Sequence, residues 1–147
     1  MHLAQANFAT LRAPLGAPEM REFVAAFDPI ARLAEASPGF VWRLASPGGH
    51  VPVELARGQV INLSVWESYE ALHGYVYRSA HGAMVRRRAD WFAPHHTPST
   101  VLWWIPEGER PSTGDALARH ALLVRYGPQP RAFTQRIRFT PDGRRAR

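Results

Sequence analysis

Hydrophobic and polar residues alternate in some stretches of the chain and follow a helical spacing in others. Alternation over a short run predicts a strand, whereas apolar residues three and four positions apart predict an amphipathic helix. Residues 60–66 (VINLSVW) show the clearest strand pattern. The predicted strands are residues 2–11, 40–45, 60–66 and 100–105, with an edge strand at 132–139, and the predicted helices are residues 18–36, 68–76, 80–92 and 113–126.

Hydroxyl residues, glycine and proline mark where these elements begin, end or bend. Ser68 and Thr113 are placed to cap the helices that follow them, and Gly127 stops the last helix. Pro29 lies inside the first helix. Because proline lacks an amide donor, we expect a kink or a break at that position.

The order of the main elements is strand, helix, strand, strand, helix, strand, which is typical of the ferredoxin-like split βαβ fold. We therefore predict an α+β protein whose antiparallel sheet has its first and third strands side by side at the centre. Residues 1–130 form this single domain, and residues 131–147 form an arginine-rich C-terminal extension over a sheet edge or the partner. Helices cover one face of such a sheet, so we expect a second copy of the chain to cover the other in a two-fold homodimer.

The two central strands each place neutral polar residues on one face. Asn62, Ser64 and Trp66 share one side of the third strand, because side chains two apart point the same way. Gln5 and Asn7 take the matching side of the first strand. We expect this face to lie away from the helices. Amides and a hydroxyl beside a tryptophan indicate a small-molecule pocket, and the alternative is a dimer interface satisfied by amide hydrogen bonds.

Composition narrows the class of protein. The chain has 147 residues, 46% of them hydrophobic, which fits one compact domain. No apolar run is long enough for a membrane-spanning helix and no signal peptide is evident, so we expect a cytoplasmic protein with no membrane partner. The chain has no cysteine, which excludes disulfides, thiolate metal sites and cysteine nucleophiles.

The basic charge is confined largely to the end of the chain. All 18 basic residues are arginine, against 12 acidic residues. Six of the arginines follow residue 130, where only Asp142 opposes them, so the rest of the chain is nearly neutral. The absence of lysine is typical of coding bias in a GC-rich genome. Since no nucleic-acid-binding motif accompanies the arginines, we predict no nucleic-acid partner.

Several segments resemble a known superfamily. The run NLSVWESYEALHGYVYRSAH, together with LAQANFATLRAPL, SPGFVWRL and VLWWIP, is similar to the dimeric α/β-barrel superfamily and its antibiotic-biosynthesis monooxygenase-like group. The closer resemblance, over nearly the whole chain, is to an uncharacterised bacterial family of that fold. It implies a dimeric α/β barrel and carries no activity of its own.

Cofactor-free, quinone-forming monooxygenases of this superfamily have an asparagine followed, after three residues, by a tryptophan. Asn62 and Trp66 match that spacing. The resemblance implies that Asn62 hydrogen-bonds a substrate oxyanion and that Trp66 helps to hold a reduced-oxygen intermediate. Those enzymes also use a helix tyrosine and an arginine, for which the candidates here are Tyr69, Tyr75 and Tyr77, and residues 86–88.

The resulting hypothesis is an enzyme that acts on a small aromatic or polyketide-like molecule without metal, flavin or other cofactor. The alternatives are a non-catalytic binding protein that uses the same pocket, and a haem protein. The haem-protein alternative depends on His81 as the haem ligand. The other two roles open to His81 are a general base and a helix-end hydrogen-bonding group. The adjacent His95 and His96 favour a surface loop over a metal site.

Four further residues are candidates for contact with a substrate. Trp103 and Trp104 are consecutive on a strand, so one faces the core and the other the pocket. Arg43 either pairs with a substrate carboxylate or enolate, or lies on the surface. Tyr77 follows the polar strand on the next helix and completes the candidate set.

Overall fold

The computed structural model describes residues 1–47, 49, 51–79 and 86–147. Its centre is an antiparallel sheet of five strands with the order β2–β4–β1–β5, in which β3 also pairs with β4. The strands are β1 (His2–Thr10), β2 (Phe40–Arg43), β3 (Val53–Glu54), β4 (Gln59–Trp66) and β5 (Thr100–Ile105). The predicted ferredoxin-like α+β fold is confirmed, because the first strand and the third of the predicted strands are central neighbours.

The helices follow the sequence pattern with one difference in continuity. They are α1 (Arg21–Glu35), α2 (Tyr69–Ser79), α3 (Arg88–Trp91) and α4 (Thr113–Tyr126), with short 3-10 turns at Pro18–Met20 and Ala56–Gly58. Of the kink or break expected at Pro29, the break is wrong, since α1 runs through that residue. Of the predicted helix 80–92, residues 80–85 lie outside the described part of the chain.

The register of the central strands aligns the polar residues across them. Asn7 of β1 lies opposite Asn62 of β4, and Gln5 lies opposite Ser64. On the other side of β1, Asn7 is opposite Thr100 of β5. Directly opposed side chains in antiparallel strands lie about 5 Å apart at Cβ, so the five residues form one continuous polar strip across the sheet.

The sheet has helices on both faces, which corrects the expectation that the polar face lies away from them. Helices α1 and α2 lie over the face of the polar strip, where Ala34 and Leu72 pack with Trp66. Helix α4 lies over the apolar face, where Ala116 and Leu123 are buried with the core strand residues. The prediction of which β4 residues share a face was right. The prediction that helices leave the polar face uncovered was wrong.

The proposed reason for a dimer therefore does not hold. An uncovered sheet face was expected to expose Trp66 and a second tryptophan. Trp66 is 0% exposed within a single chain, and Trp104, the tryptophan on the same face, packs against the C-terminal residues.

The C-terminal residues pack against the outer edge of β5. Phe133 forms a single two-bond bridge with Leu102, so the predicted edge strand 132–139 is reduced to one pair. Phe133 is buried, and the Trp104 Nε1–H group donates to the Phe139 carbonyl at 2.7 Å. Within the described residues, no helix combines the length and the hydrophobicity needed to span a bilayer.

Helix α4 is capped one residue earlier than the sequence pattern predicts. Thr113 was the predicted cap, but Ser112 holds that position: its hydroxyl accepts from the Asp115 amide at 3.0 Å, and the Asp115 carboxylate accepts from the Ser112 amide at 2.9 Å.

Loss of such a cap costs about 1 kcal/mol. We expect Ser112→Ala to lower the free energy of unfolding in urea by about that amount. Thr113→Ala is the matched control and should have little effect; equal losses would contradict the assignment.

Candidate functional site

A cleft of about 190 Å3 opens between α1 and one end of the polar strip. Phe23 and Phe27, one helical turn apart on α1, form its roof, and Asn7 and Asn62 form part of its floor. Phe92 and Pro52 close its sides. The remaining lining residues are Phe8, Ala9, Val60, Ile61, Arg88 and Ser99. The cleft is thus mostly apolar and aromatic, with a few neutral polar groups and one arginine, Arg88.

The outer wall of the cleft is fastened to the end of β1. The Ala93 amide donates to the Thr10 carbonyl and the Arg12 amide donates to the Trp91 carbonyl, both at 2.8 Å. Arg87 forms an ion pair with Glu22 of α1. These contacts place Phe92 against Phe23, with ring centroids 5.2 Å apart and the rings nearly perpendicular.

Hydrogen bonds connect the polar strip from one strand to the next. The Thr100 hydroxyl donates to Asn7 Oδ1, and Asn7 Nδ2 donates to Gln5 Oε1 at 2.9 Å. Gln5 Nε2 and Trp66 Nε1 both donate to the Ser64 hydroxyl oxygen, at 3.5 Å and 2.9 Å. A buried amide or hydroxyl is costly unless it is hydrogen-bonded, so this network is what allows the strip to lie beneath two helices.

Asn62 stands apart from that network. Its side chain is exposed, it lines the cleft, and within the described part of the chain its amide has no hydrogen-bond partner. An amide offers both two donors and an acceptor. Asn62 is therefore the polar group of the floor that is most available to a ligand.

A second, much smaller cavity of about 20 Å3 lies further along the strip, and we call it the inner chamber. Its polar lining consists of Gln5, Ser64, Arg43 and Tyr75. Its apolar lining is Ile30, Ala31 and Ala34 of α1. Phe27 and Asn62 line both cavities and so lie between them.

Tyr75 joins the inner chamber to the buried tryptophan. Its ring stacks on Trp66 with centroids 5.1 Å apart and an angle of 22° between the planes. Burial raises the pKa of the Tyr75 phenol to about 12, partly opposed by the positive charge of Arg43. The phenol is therefore neutral near pH 7 and able to donate a hydrogen bond.

Arg43 is already committed to partners within the chain. Its side chain is only 9% exposed, and Nε bonds to the Glu35 carboxylate at 2.9 Å. Its terminal nitrogens donate to the carbonyls of Leu44 and Gly49 at 3.1 and 3.4 Å. It is therefore not a surface arginine, while its pairing with a substrate carboxylate or enolate stays a prediction. Its charge contributes to the electrostatics of the inner chamber.

The structure separates the other predicted site residues. Trp66 is fully buried and lines neither cavity. Trp103 lies on the opposite face of the sheet, in the core beneath α4. Trp104 is on the face of the strip but packs against the C-terminal residues. The Tyr77 side chain is 66% exposed and lines neither cavity.

One predicted residue lies beyond the described part of the chain. His81 belongs to residues 80–85, so its roles as general base, haem ligand or helix-end group stay predictions. Among the residues that the structure does describe, no three histidine or carboxylate side chains are grouped to hold a metal ion.

Sequence reasoning missed the aromatic half of the cleft. Phe23 and Phe27 have the helical spacing of core residues, and nothing in that spacing distinguishes a core from a roof. Arg88 was one of three consecutive arginine candidates, and the structure brings it alone of residues 86–88 to the cleft lining. Phe92 was placed at the end of a predicted helix with no role.

Comparison with known proteins supports the fold and leaves the activity open. Residues 2–147 match the family described as "Domain of unknown function (DUF3291)". No curated protein matches the chain. A protein of unknown function from Nitrosomonas europaea is similar in structure at 12% identity, covering 76% of this chain and 95% of that one, with a TM-score of 0.53. A NIPSNAP family protein from Agrobacterium tumefaciens is similar at 10% identity over 76% and 100% of the two chains, with a TM-score of 0.46.

Proposed function

The chain belongs to the family described as "Domain of unknown function (DUF3291)", and we propose that it binds a small, mostly apolar molecule in the cleft beneath α1. The observation that carries the proposal is the exposed Asn62 amide, which has no partner among the described residues and lies on the floor of a mostly apolar cavity. Apolar walls supply affinity and a few placed polar groups supply orientation in such sites.

The shape and chemistry of the lining favour an aromatic ligand. Phe23, Phe27 and Phe92 surround the cleft, and aromatic rings pack favourably against one another in tilted or offset geometries. Asn62 is suited to a hydroxyl, a carbonyl or an oxyanion at one end of the ligand. A fused-ring phenol combines these two properties.

Cofactor-free oxygenation is a second candidate, and the position of Asn62 favours it. The resemblance to quinone-forming monooxygenases gives this residue the role of binding a substrate oxyanion, and its amide is open to the cleft. In such a reaction an ionised anthrone-type substrate reduces dioxygen, its CH2 group becomes C=O, and the second oxygen atom leaves as water. Because Trp66 is buried, it does not touch the substrate, and it acts in this candidate reaction by positioning the Ser64 hydroxyl through its Nε1–H hydrogen bond.

Calorimetric titration with naphthol tests the binding function. We expect one site per chain, and we expect Asn62→Ala to weaken binding about tenfold, the equivalent of one hydrogen bond to the ligand. Gln129→Ala, which removes an amide outside both cavities, should leave the affinity unchanged. Absence of binding, or equal affinity of the Asn62→Ala protein, would contradict the proposal.

An oxygen electrode separates oxygenation from binding alone. With anthrone as substrate, the oxygenase candidate requires one dioxygen consumed per anthrone, at a rate above that in buffer and reduced in Asn62→Ala. If oxygen is consumed and product is formed no faster than in buffer alone, oxygenation is eliminated and the binding function still stands.

We also propose a homodimer, on a surface different from the one expected from the sequence. Leu117 and Val124, two turns apart on α4, are 44% and 46% exposed and point outward together. Light scattering at micromolar concentration should give twice 16.5 kDa, and Leu117→Glu should reduce it. Val41→Glu is the control, an exposed valine on β2. A wild-type mass of 16.5 kDa would refute the dimer.

A further inference from the structure

The Ser64 hydroxyl group lines the inner chamber, and its proton has no acceptor among the described residues. Ser64 is 6% exposed, and its oxygen accepts from both Trp66 Nε1 and Gln5 Nε2. A serine hydroxyl has two acceptor positions and one donor. With both acceptor positions occupied, the hydroxyl has to act as a donor, and among the described residues no acceptor meets it.

The remaining direction for the Ser64 hydroxyl proton is toward the inner chamber. Ser64 lines the chamber, while the two N–H groups that bond to it come from neighbouring residues of the sheet. Tyr75 lines the same space, and its phenol also has no hydrogen-bond partner within the described chain. Burial keeps that phenol protonated, since its pKa is raised to about 12. Two hydroxyl donors therefore border one small cavity.

No lining residue of the chamber carries a negative charge to receive these protons. Arg43, the one charged residue among the described lining residues, is positive, and its Nε bonds to the Glu35 carboxylate, which is not part of the lining. A volume of about 20 Å3 is close to that of one water-sized group, for which about 10–15 Å3 is needed. The chamber thus fits a single hydrogen-bond-accepting atom.

We propose that the inner chamber is a subsite for one carbonyl or oxyanion oxygen of the molecule bound in the cleft, with the hydroxyls of Ser64 and Tyr75 as its donors. This inference rests on the proposed binding function and narrows its ligand to aromatic molecules with such an oxygen at one end. Phe27 and Asn62 lie between the two cavities, so the oxygen passes between them to reach the chamber. Gln5 and Trp66 are positioning residues that hold Ser64 as a donor.

Two ligands that differ in one atom type test the subsite. Naphthaldehyde carries the oxygen, and methylnaphthalene has the same rings without it. The chain has no lysine, so the aldehyde cannot form a Schiff base with a side chain. We expect the wild-type protein to prefer the aldehyde by about three- to tenfold, the range for a neutral hydrogen bond. We also expect binding to lower the infrared stretching frequency of its carbonyl group.

The variants distinguish a hydrogen-bonding role from a structural one. Tyr75→Phe keeps the ring on Trp66 and removes the hydroxyl, so it should reduce both the preference and the infrared shift. Tyr69→Phe, on the same helix but outside both cavities, should change neither. Ser64→Ala should act as Tyr75→Phe does, and Ser64→Thr should restore the shift because it retains a hydroxyl.

The outcomes separate the two proposals. If neither ligand binds, the proposed binding function fails. If both ligands bind equally and the carbonyl band does not shift, the cleft is still a binding site but the chamber holds solvent only. That outcome overturns the subsite. An infrared shift that persists unchanged in Tyr75→Phe and in Ser64→Ala would overturn the assignment of the donors.

Discussion

Neutral polar side chains buried between a sheet and two helices are the constraint on which this structure depends. Gln5 and Ser64 are 4% and 6% exposed, beneath helices that would pack more simply on apolar residues. Each such group costs free energy unless it is paired. The cross-strand register makes the pairing possible, because it sets Gln5 opposite Ser64 and Asn7 opposite Asn62.

The same pairing determines which groups remain for a ligand. Thr100, Asn7, Gln5 and Trp66 use their donors along the strip, and the series ends on the oxygen of Ser64. Among the described residues, the Asn62 amide in the cleft has no partner, and the Ser64 hydroxyl proton at the inner chamber has no acceptor. Both cavities lie on the line of the strip, so the hydrogen bonds that stabilise the sheet also orient the site.

Local pattern was sufficient for the four main strands and for the faces of the central pair, although it missed β3 and predicted a strand at 132–139 where one bridge is found. The bounds of β5 and α4 agree with the sequence pattern, and the separation of Asn62 and Ser64 from Ile61 and Leu63 holds in the structure. Strand parity is a local property with period two, which a short run of residues is enough to set. The polar half of the site was therefore predictable.

The position of the helices was not predictable in the same way. Which face α1 and α2 cover depends on contacts between distant parts of the chain, such as Trp66 with Tyr75 and Phe40. The presence of α4 on the apolar face removes the expected need for a partner sheet. Trp66 shows the consequence most clearly: its parity was right, but its depth beneath α2 removes it from the cavity lining. Continuity of α1 through Pro29 is likewise a result of tertiary packing overriding a local preference.

The side-chain amide signals of asparagine provide the most direct measurement of the central claim, that Asn62, which has no partner among the described residues, is a ligand-binding group of the cleft. The whole sequence contains two asparagines, Asn7 and Asn62, so selective nitrogen labelling gives only two side-chain NH2 pairs in an NMR spectrum. Assignment requires the single variant Asn62→Ala. On titration with naphthaldehyde, the account predicts a saturable shift of the Asn62 pair that exceeds that of Asn7, whose amide is already bonded to Gln5. An Asn62 pair that stays in place while the ligand saturates the protein would contradict it.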